Sequence, residues 1–131
     1  MRYLLDTAIF LWSLSEPEKL NDKAQQLLAT GSEELYLSSA SAWEITIKSD
    51  LGKLKLGDPP SRYVPNRMNL LGLRPLHITH AHALAIAGLA RHHNDPFDRL
   101  LIAQARTENM VLMTADHVFS KYPVQTMWCG L

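Results

Sequence analysis

The chain has 131 residues, 47% of them hydrophobic and 20% charged, and its 13 basic and 13 acidic side chains leave no formal net charge. That balance is globular: it excludes a disordered tail and a polybasic nucleic-acid binder, but not an enzyme with a local basic patch. The length implies a single domain, 1–131, large enough to bury a core without disulfides or a structural metal. Cys129 is the only cysteine, so no intrachain disulfide and no cysteine-based zinc motif can form. The longest apolar run, Ala83 to Ala90, is far below the roughly 18 residues of a membrane span. Asp6 falls where a secretory leader would be apolar. A cytoplasmic protein with no membrane contact is expected.

In chain order, Tyr3-Leu4-Leu5 reads as a short strand that passes through Asp6-Thr7 into a helix over Ala8 to Leu14. Asn21 or Asp22 caps a second helix that runs to Thr30, and Gly31 ends it. Leu35 to Leu37 is the next strand. A helix from Ala40 to Asp50 follows, with Trp43 and Ile47 on one face and Glu44 and Lys48 on another. Pro60 opens a helix to Leu71, with a kink or break expected at Pro65. Leu76 to Ile78 reads as a strand, and Thr79 caps a helix over His80 to Ala90. Asp95-Pro96 opens a helix to Asn109 that is apolar nearly all round and therefore buried. Val111 to Met113 is a buried strand, followed by a short helix to Lys121 and a last strand over Val124 to Met127. Alternating strands and helices predict an α/β fold with a mostly parallel sheet covered on both faces.

In such sheets ligands bind beyond the carboxyl ends of the strands. Asp6, Glu44, Asp98 and Asp116 all fall in the first residues after a strand or at the start of a following helix. Each has a plainer reading. Asp6, Asp95 and Asp116 can cap helices, Asp98 at the third helical position suits the helix dipole, and Glu44 can pair with Lys48 one turn on. Four acids at one rim are a different matter. Two carboxylates about 4 Å apart repel by roughly 4 kcal/mol at an effective dielectric near 20. They hold protons or gather round a cation. Oxygen-only ligation suits Mg²⁺ or Mn²⁺, which activate water for attack on a phosphodiester.

Four segments carry a resemblance. They are Leu4-Leu5-Asp6-Thr7, Ser38-Ser39-Ala40-Ser41-Ala42-Trp43-Glu44-Ile45, Asp95-Pro96-Phe97-Asp98-Arg99-Leu100-Leu101-Ile102-Ala103-Gln104-Ala105, and Leu112-Met113-Thr114-Ala115-Asp116. In this order they resemble a PIN domain, and within that family the VapC-like toxins of type II toxin–antitoxin systems. The resemblance spans essentially the whole chain, and its Asp-Pro-Phe-Asp-Arg block is the most specific part. It implies a three-layer α/β/α fold with about five strands in the order 3-2-1-4-5. It also implies cleavage of RNA dependent on Mg²⁺ or Mn²⁺, with Asp6, Glu44, Asp98 and Asp116 as catalytic, metal-binding acids. Asp95, Thr7, Ser39, Thr114 and Arg99 would support them, with Arg99 bracing Asp98 or Asp95. Lys48, Lys53, Lys55 and Arg91 are candidate phosphate contacts. A cognate antitoxin, an RNA substrate and a homodimer are the implied partners. The histidine-rich stretch Arg91-His92-His93-Asn94 stands outside this set.

Other classes fit less well. A haloacid-dehalogenase-type phosphatase needs a second acid two residues after the first, where this chain has Ala8. A response-regulator receiver needs a phosphoacceptor after a middle strand, and none follows Leu35 to Leu37 or Leu76 to Ile78. His77, His80, His82, His92, His93 and His117 lack the spacing of a zinc hydrolase. The standing alternative is an inactive PIN-like module that binds RNA or protein. Trp43 is expected in the core and Trp12 at an interface.

Overall fold

The computed structural model describes residues 1–131. Five strands, β1 (Arg2–Leu5), β2 (Glu34–Ser38), β3 (Arg74–Leu76), β4 (Val111–Thr114) and β5 (Thr126–Trp128), form one parallel sheet in the order β3-β2-β1-β4-β5. Six helices surround it: α1 (Thr7–Ser15), α2 (Asp22–Thr30), α3 (Ser39–Asp50), α4 (Pro60–Leu71), α5 (His80–Ala85) and α6 (Pro96–Glu108). The three-layer fold and strand order implied by the resemblance are therefore present.

Alternation along the central strands builds two cores. Leu5, Leu35, Leu37, Val111 and Met113 point to one face and pack with Ile9, Phe10, Ala24, Leu28, Ile45 and Val64. Leu4 and Leu112 point to the other face and pack with Leu101, Ile102, Ala105 and Phe119. Two-residue periodicity in a strand with both faces covered requires apolar residues at every position, as β4 shows. Helix ends follow local rules. Asn21 accepts from the Ala24 N–H at 2.9 Å to start α2, and Gly31 ends it at φ +63. No helix is long and apolar enough to cross a membrane.

The structure departs from the sequence reading at several places. Pro65 does not break α4. Its missing N–H would have served Ser61, whose exposed position leaves that carbonyl to water. Strand β3 lies two residues earlier than Leu76 to Ile78, with Tyr36 opposite Arg74 and Ser38 opposite Leu76. It is an edge strand, so it tolerates Pro75 and is mostly exposed, and apolar content does not mark it. Strand β5 likewise begins at Thr126, two residues after the expected Val124. The helix at His80 stops at Ala85 and tightens into a 3-10 turn over Ile86–Gly88. Trp43 is not in the core: it is 57% exposed, with its ring edge-on to Phe97 at 5.2 Å. α3 turns Ser41, Glu44 and Ile45 inward instead.

The centre of the sheet carries the stability. Leu112 is wholly buried on β4 between two neighbouring strands. Leu112→Ala is expected to cost about 3 kcal/mol, read as a lower midpoint in urea unfolding with an unchanged slope. A loss under about 1 kcal/mol would mean the second core is not closed around this residue.

Candidate active site

Crossovers leave β1 in opposite directions, since β2 lies on one side of it and β4 on the other. The crevice at the carboxyl ends of β1 and β4 is the switch point of the sheet, where open α/β folds bind ligands. A cleft of about 650 Å³ opens there. Its walls include Asp6, Glu44, Asp95, Asp98 and Asp116, with Thr7, Lys48, Lys53, Trp12 and His117.

Each acid arrives by a different local device. Asp6 follows β1 directly, and its N–H donates to Met113 O at 2.9 Å, which continues the β1–β4 ladder past the strand end. Asp6 stands at the N-cap position of α1, yet its side chain makes no cap bond. Its Oδ2 instead accepts from the Thr114 hydroxyl at 3.0 Å. Glu44 sits on the buried side of α3, accepting from the Thr7 hydroxyl at 2.8 Å and pairing through Oε2 with Lys48. Asp95 caps α6, taking the N–H groups of Phe97 and Asp98 at 2.9 and 3.0 Å. That cap places Asp98 at the third position of α6, where its Oδ2 lies 3.2 Å from His93 Nε2. Asp116 is exposed and caps the turn after β4, accepting from Val118 N–H at 3.0 Å. For Asp95 and Asp116, capping and membership of the cleft hold together.

Burial sets the electrostatics. Asp6 is 6% exposed, and loss of water raises its pKa from 3.8 to about 7, with the Asp98 charge adding to the rise. Asp98 is raised to about 7 as well, first by burial and then by Asp95, Glu44 and Asp116. The hydrogen bond to Glu44 raises the Lys48 pKa. Burial also pushes the Cys129 thiol up to about 12, so it is an inert core residue.

The supporting residues divide. Thr7 donates to Glu44 and Thr114 to Asp6. Ser39 does not: it is half-buried at the start of α3, while Ser38 caps the helix and the Ser41 hydroxyl meets Thr7 at 2.8 Å. Ser41 is fully buried, and its place three residues before Glu44 on one helix face is the signal that would have found it. Arg99 braces neither Asp98 nor Asp95. It is 5% exposed and donates to the carbonyls of Ala90, Ile86 and Leu89 and to the Tyr122 hydroxyl. Those are the carbonyls at the end of the α5 segment, which a cation suits. Of the four candidate phosphate contacts, Lys48 and Lys53 line the cleft; Lys55 and Arg91 are exposed away from it, the latter bonded to Asn94. His82 is buried, with its Nε2 2.8 Å from Glu108, and no three His, Cys, Asp or Glu side chains stand ready to share one ion. Trp12 is half-buried in the cleft wall under the Lys19 ammonium, 5.2 Å from its ring.

The comparison with known proteins agrees with this architecture. The family model described as PIN domain matches residues 3–125, and the chain belongs to that family. A stretch of 48 residues is 52% identical to Ribonuclease VapC16 of Mycobacterium tuberculosis; it covers 37% of this chain and 34% of that relative's length. The fold is similar to the structure of VapBC2 from Rickettsia felis bound to a promoter DNA fragment, with a TM-score of 0.76 and 17% identity over 98% of this chain and 99% of that one. It is also similar to DNA-bound VapBC from Salmonella typhimurium, with a TM-score of 0.69 and 19% identity over 97% of each chain. FitAcB from Neisseria gonorrhoeae matches with a TM-score of 0.67 and 20% identity over 95% of this chain and 96% of that one. At these identities the likeness establishes the fold.

The raised acids give a pH dependence. Unfolded, the two carboxyls ionise near pH 4; folded, they ionise near 7. Between those values the folded state binds more protons. The stability they contribute is complete below about pH 4 and is lost as pH rises through 7. Asp6→Asn is expected to stabilise the metal-free protein by about 2 kcal/mol at about pH 8 and to have little effect near pH 4. Melting curves at the two pH values check this, and equal melting temperatures at the higher pH would refute it.

Proposed function

We propose that this chain is the toxin of a type II toxin–antitoxin pair: a cytoplasmic, single-domain endoribonuclease that cleaves RNA phosphodiesters with Mg²⁺ or Mn²⁺. One observation carries the reading: in a PIN-family chain, the buried carboxylate of Asp6 and the partly buried one of Asp98 share a cleft at the sheet's switch point with three further acids. Such a pocket repels phosphate as well as itself. It becomes a phosphodiester site only when a cation neutralises it. The relative named as a ribonuclease and the neighbours solved as VapBC complexes support the RNA substrate and the antitoxin partner.

The donor set fits a hard divalent ion, being all oxygen. The acids do not surround one point as they stand. That suits Mg²⁺ or Mn²⁺ ions that keep several waters and take one or two carboxylates directly. Asp6 and Asp98 would hold the ion, with Asp116 and Glu44 completing the shell directly or through water. Bound there, the ion supplies a Lewis acid that lowers the pKa of water and offsets phosphoryl charge. The protein does the rest. Thr114 and Thr7 fix the rotamers of Asp6 and Glu44. Lys53 presents a positive charge in the cleft wall for the RNA backbone. Lys48 pairs with Glu44 and holds its carboxylate in place. The exposed apolar side chains Leu14 and Leu70 are available to the second copy of a homodimer.

Purified protein is expected to cut single-stranded RNA in Mg²⁺ and to stop when EDTA is added. Asp6→Asn and Asp98→Asn should each lose about 100-fold or more of the rate with an unchanged circular dichroism spectrum. Induction of the wild type should arrest growth and induction of Asp98→Asn should not. Equal arrest by both would replace cleavage with sequestration by an inactive binding module.

A further inference from the structure

The histidine pair before Asp95 has no part in the site as described so far, and the structure gives one member a defined task. His93 lies between Asp98 and Tyr122. Its Nε2 is 3.2 Å from Asp98 Oδ2, and its Nδ1 is 2.7 Å from the Tyr122 hydroxyl. Tyr122 is buried, and its oxygen also lies 3.3 Å from Arg99 Nη1. His92 packs edge-on against the same phenol ring at 4.8 Å.

The direction of the hydrogen bonds follows from what each group can do. A guanidinium has donors and no acceptor, so Arg99 donates to the Tyr122 oxygen. The phenol proton then goes to its remaining neighbour, His93 Nδ1. An imidazole that accepts at Nδ1 carries its proton on Nε2. That N–H meets Asp98 Oδ2. With Asp98 ionised, the opposite tautomer would set a nitrogen lone pair against a carboxylate lone pair and leave the phenol proton unused.

We propose that His93 is a positioning residue for Asp98: its Nε2–H, held in that tautomer by Tyr122 and Arg99, grips Oδ2 and leaves Oδ1 as the free donor atom on the cleft. The geometry singles out His93 for this. The other groups acting on Asp98 are the like charges Asp95, Glu44 and Asp116, which push it away, and Lys48, which Glu44 already engages. Oδ1 accepts no hydrogen bond from the protein. The arrangement follows the general pattern in which a ligand-bearing side chain is oriented by an outer partner. It rests on the reading of Asp98 as a divalent-ion ligand.

The test is binding of Mn²⁺ alone, followed as loss of the free-ion electron paramagnetic resonance signal, together with ¹⁵N chemical shifts of the His93 ring in metal-free protein. Wild type should bind Mn²⁺ and show the Nε2–H form. His93→Ala should weaken binding about 10-fold. His93→Gln, which can place an amide N–H near the Nε2 position, should recover most of the loss. Tyr122→Phe should keep the fold and shift the ring toward the other tautomer, with an intermediate loss of affinity. In an Asp98→Asn background, His93→Ala should have no further effect. Wild-type affinity in His93→Ala, or failure of His93→Gln to rescue a folded protein, would overturn the proposal while leaving the acids as ligands. Should the wild type take up no Mn²⁺, or Asp6→Asn bind as tightly as wild type, the divalent-ion reading and this inference fall together. If His93→Ala does not fold, His93→Gln and Tyr122→Phe decide: an unaltered tautomer in Tyr122→Phe refutes the relay.

Discussion

A carboxylate is held out of water at the end of the central strand. Asp6 continues β1 by one residue, and its amide is tied to Met113 on the neighbouring strand, so the backbone cannot retreat. Its side chain takes neither the cap position's usual bond nor a cationic partner. A single hydroxyl from Thr114 is its side-chain hydrogen bond. Burial then pushes its proton affinity up, and Asp98 across the cleft pushes it further. A group so placed is costly to the fold in isolation. It is tolerated because two hydrophobic cores, one on each face of the sheet, close around the strand that carries it. The site is thus an electrostatically costly feature supported by the surrounding packing.

The distribution of positive charge is as telling as that of negative charge. Arg99 follows Asp98 in sequence and lies buried a short distance away, yet it is spent on backbone carbonyls at the end of the α5 segment. Lys48 is engaged by Glu44 at the cleft mouth. The acids at the base keep no fixed counter-ion of their own. A fixed ion pair there would have satisfied the carboxylates and removed their affinity for a mobile cation. Arg99 instead donates to carbonyls of the loop before His93 and to Tyr122, so its influence on Asp98 passes through two directional hydrogen-bonding groups. A cation thereby contributes orientation without contributing neutralisation.

Much of this was legible before any coordinates. The strand–helix alternation, the caps at Asn21, Thr79 and Asp95, and the acids after β1 and β4 and in the early turns of α3 and α6 follow from local rules with short reach. What failed to show was non-local. β3 is an edge strand recognised by its partner β2 rather than by its own composition. Trp43 shares a helical face with Ile47, but tertiary packing turned the Ser41, Glu44 and Ile45 side of α3 inward. Ser39 and Ser41 are equivalent as hydroxyls beside a helix start, and only the position of Thr7 on another element distinguishes them. Arg99 adjoins Asp98 in sequence, yet successive helical residues diverge by about 100°.

The sequence by itself determined the family, the order of the elements and where along them the acids fall, because each rests on residue type and on spacings within one or two turns. The tertiary structure decided how those acids feel one another. Proton affinity depends on burial and on charges from β1, α3, α6 and the turn after β4, which no single segment contains. It also decided the task of His93, whose partners lie five and 29 residues further along the chain. Hydrogen-bond direction is a property of three-dimensional neighbours, and a linear string carries none.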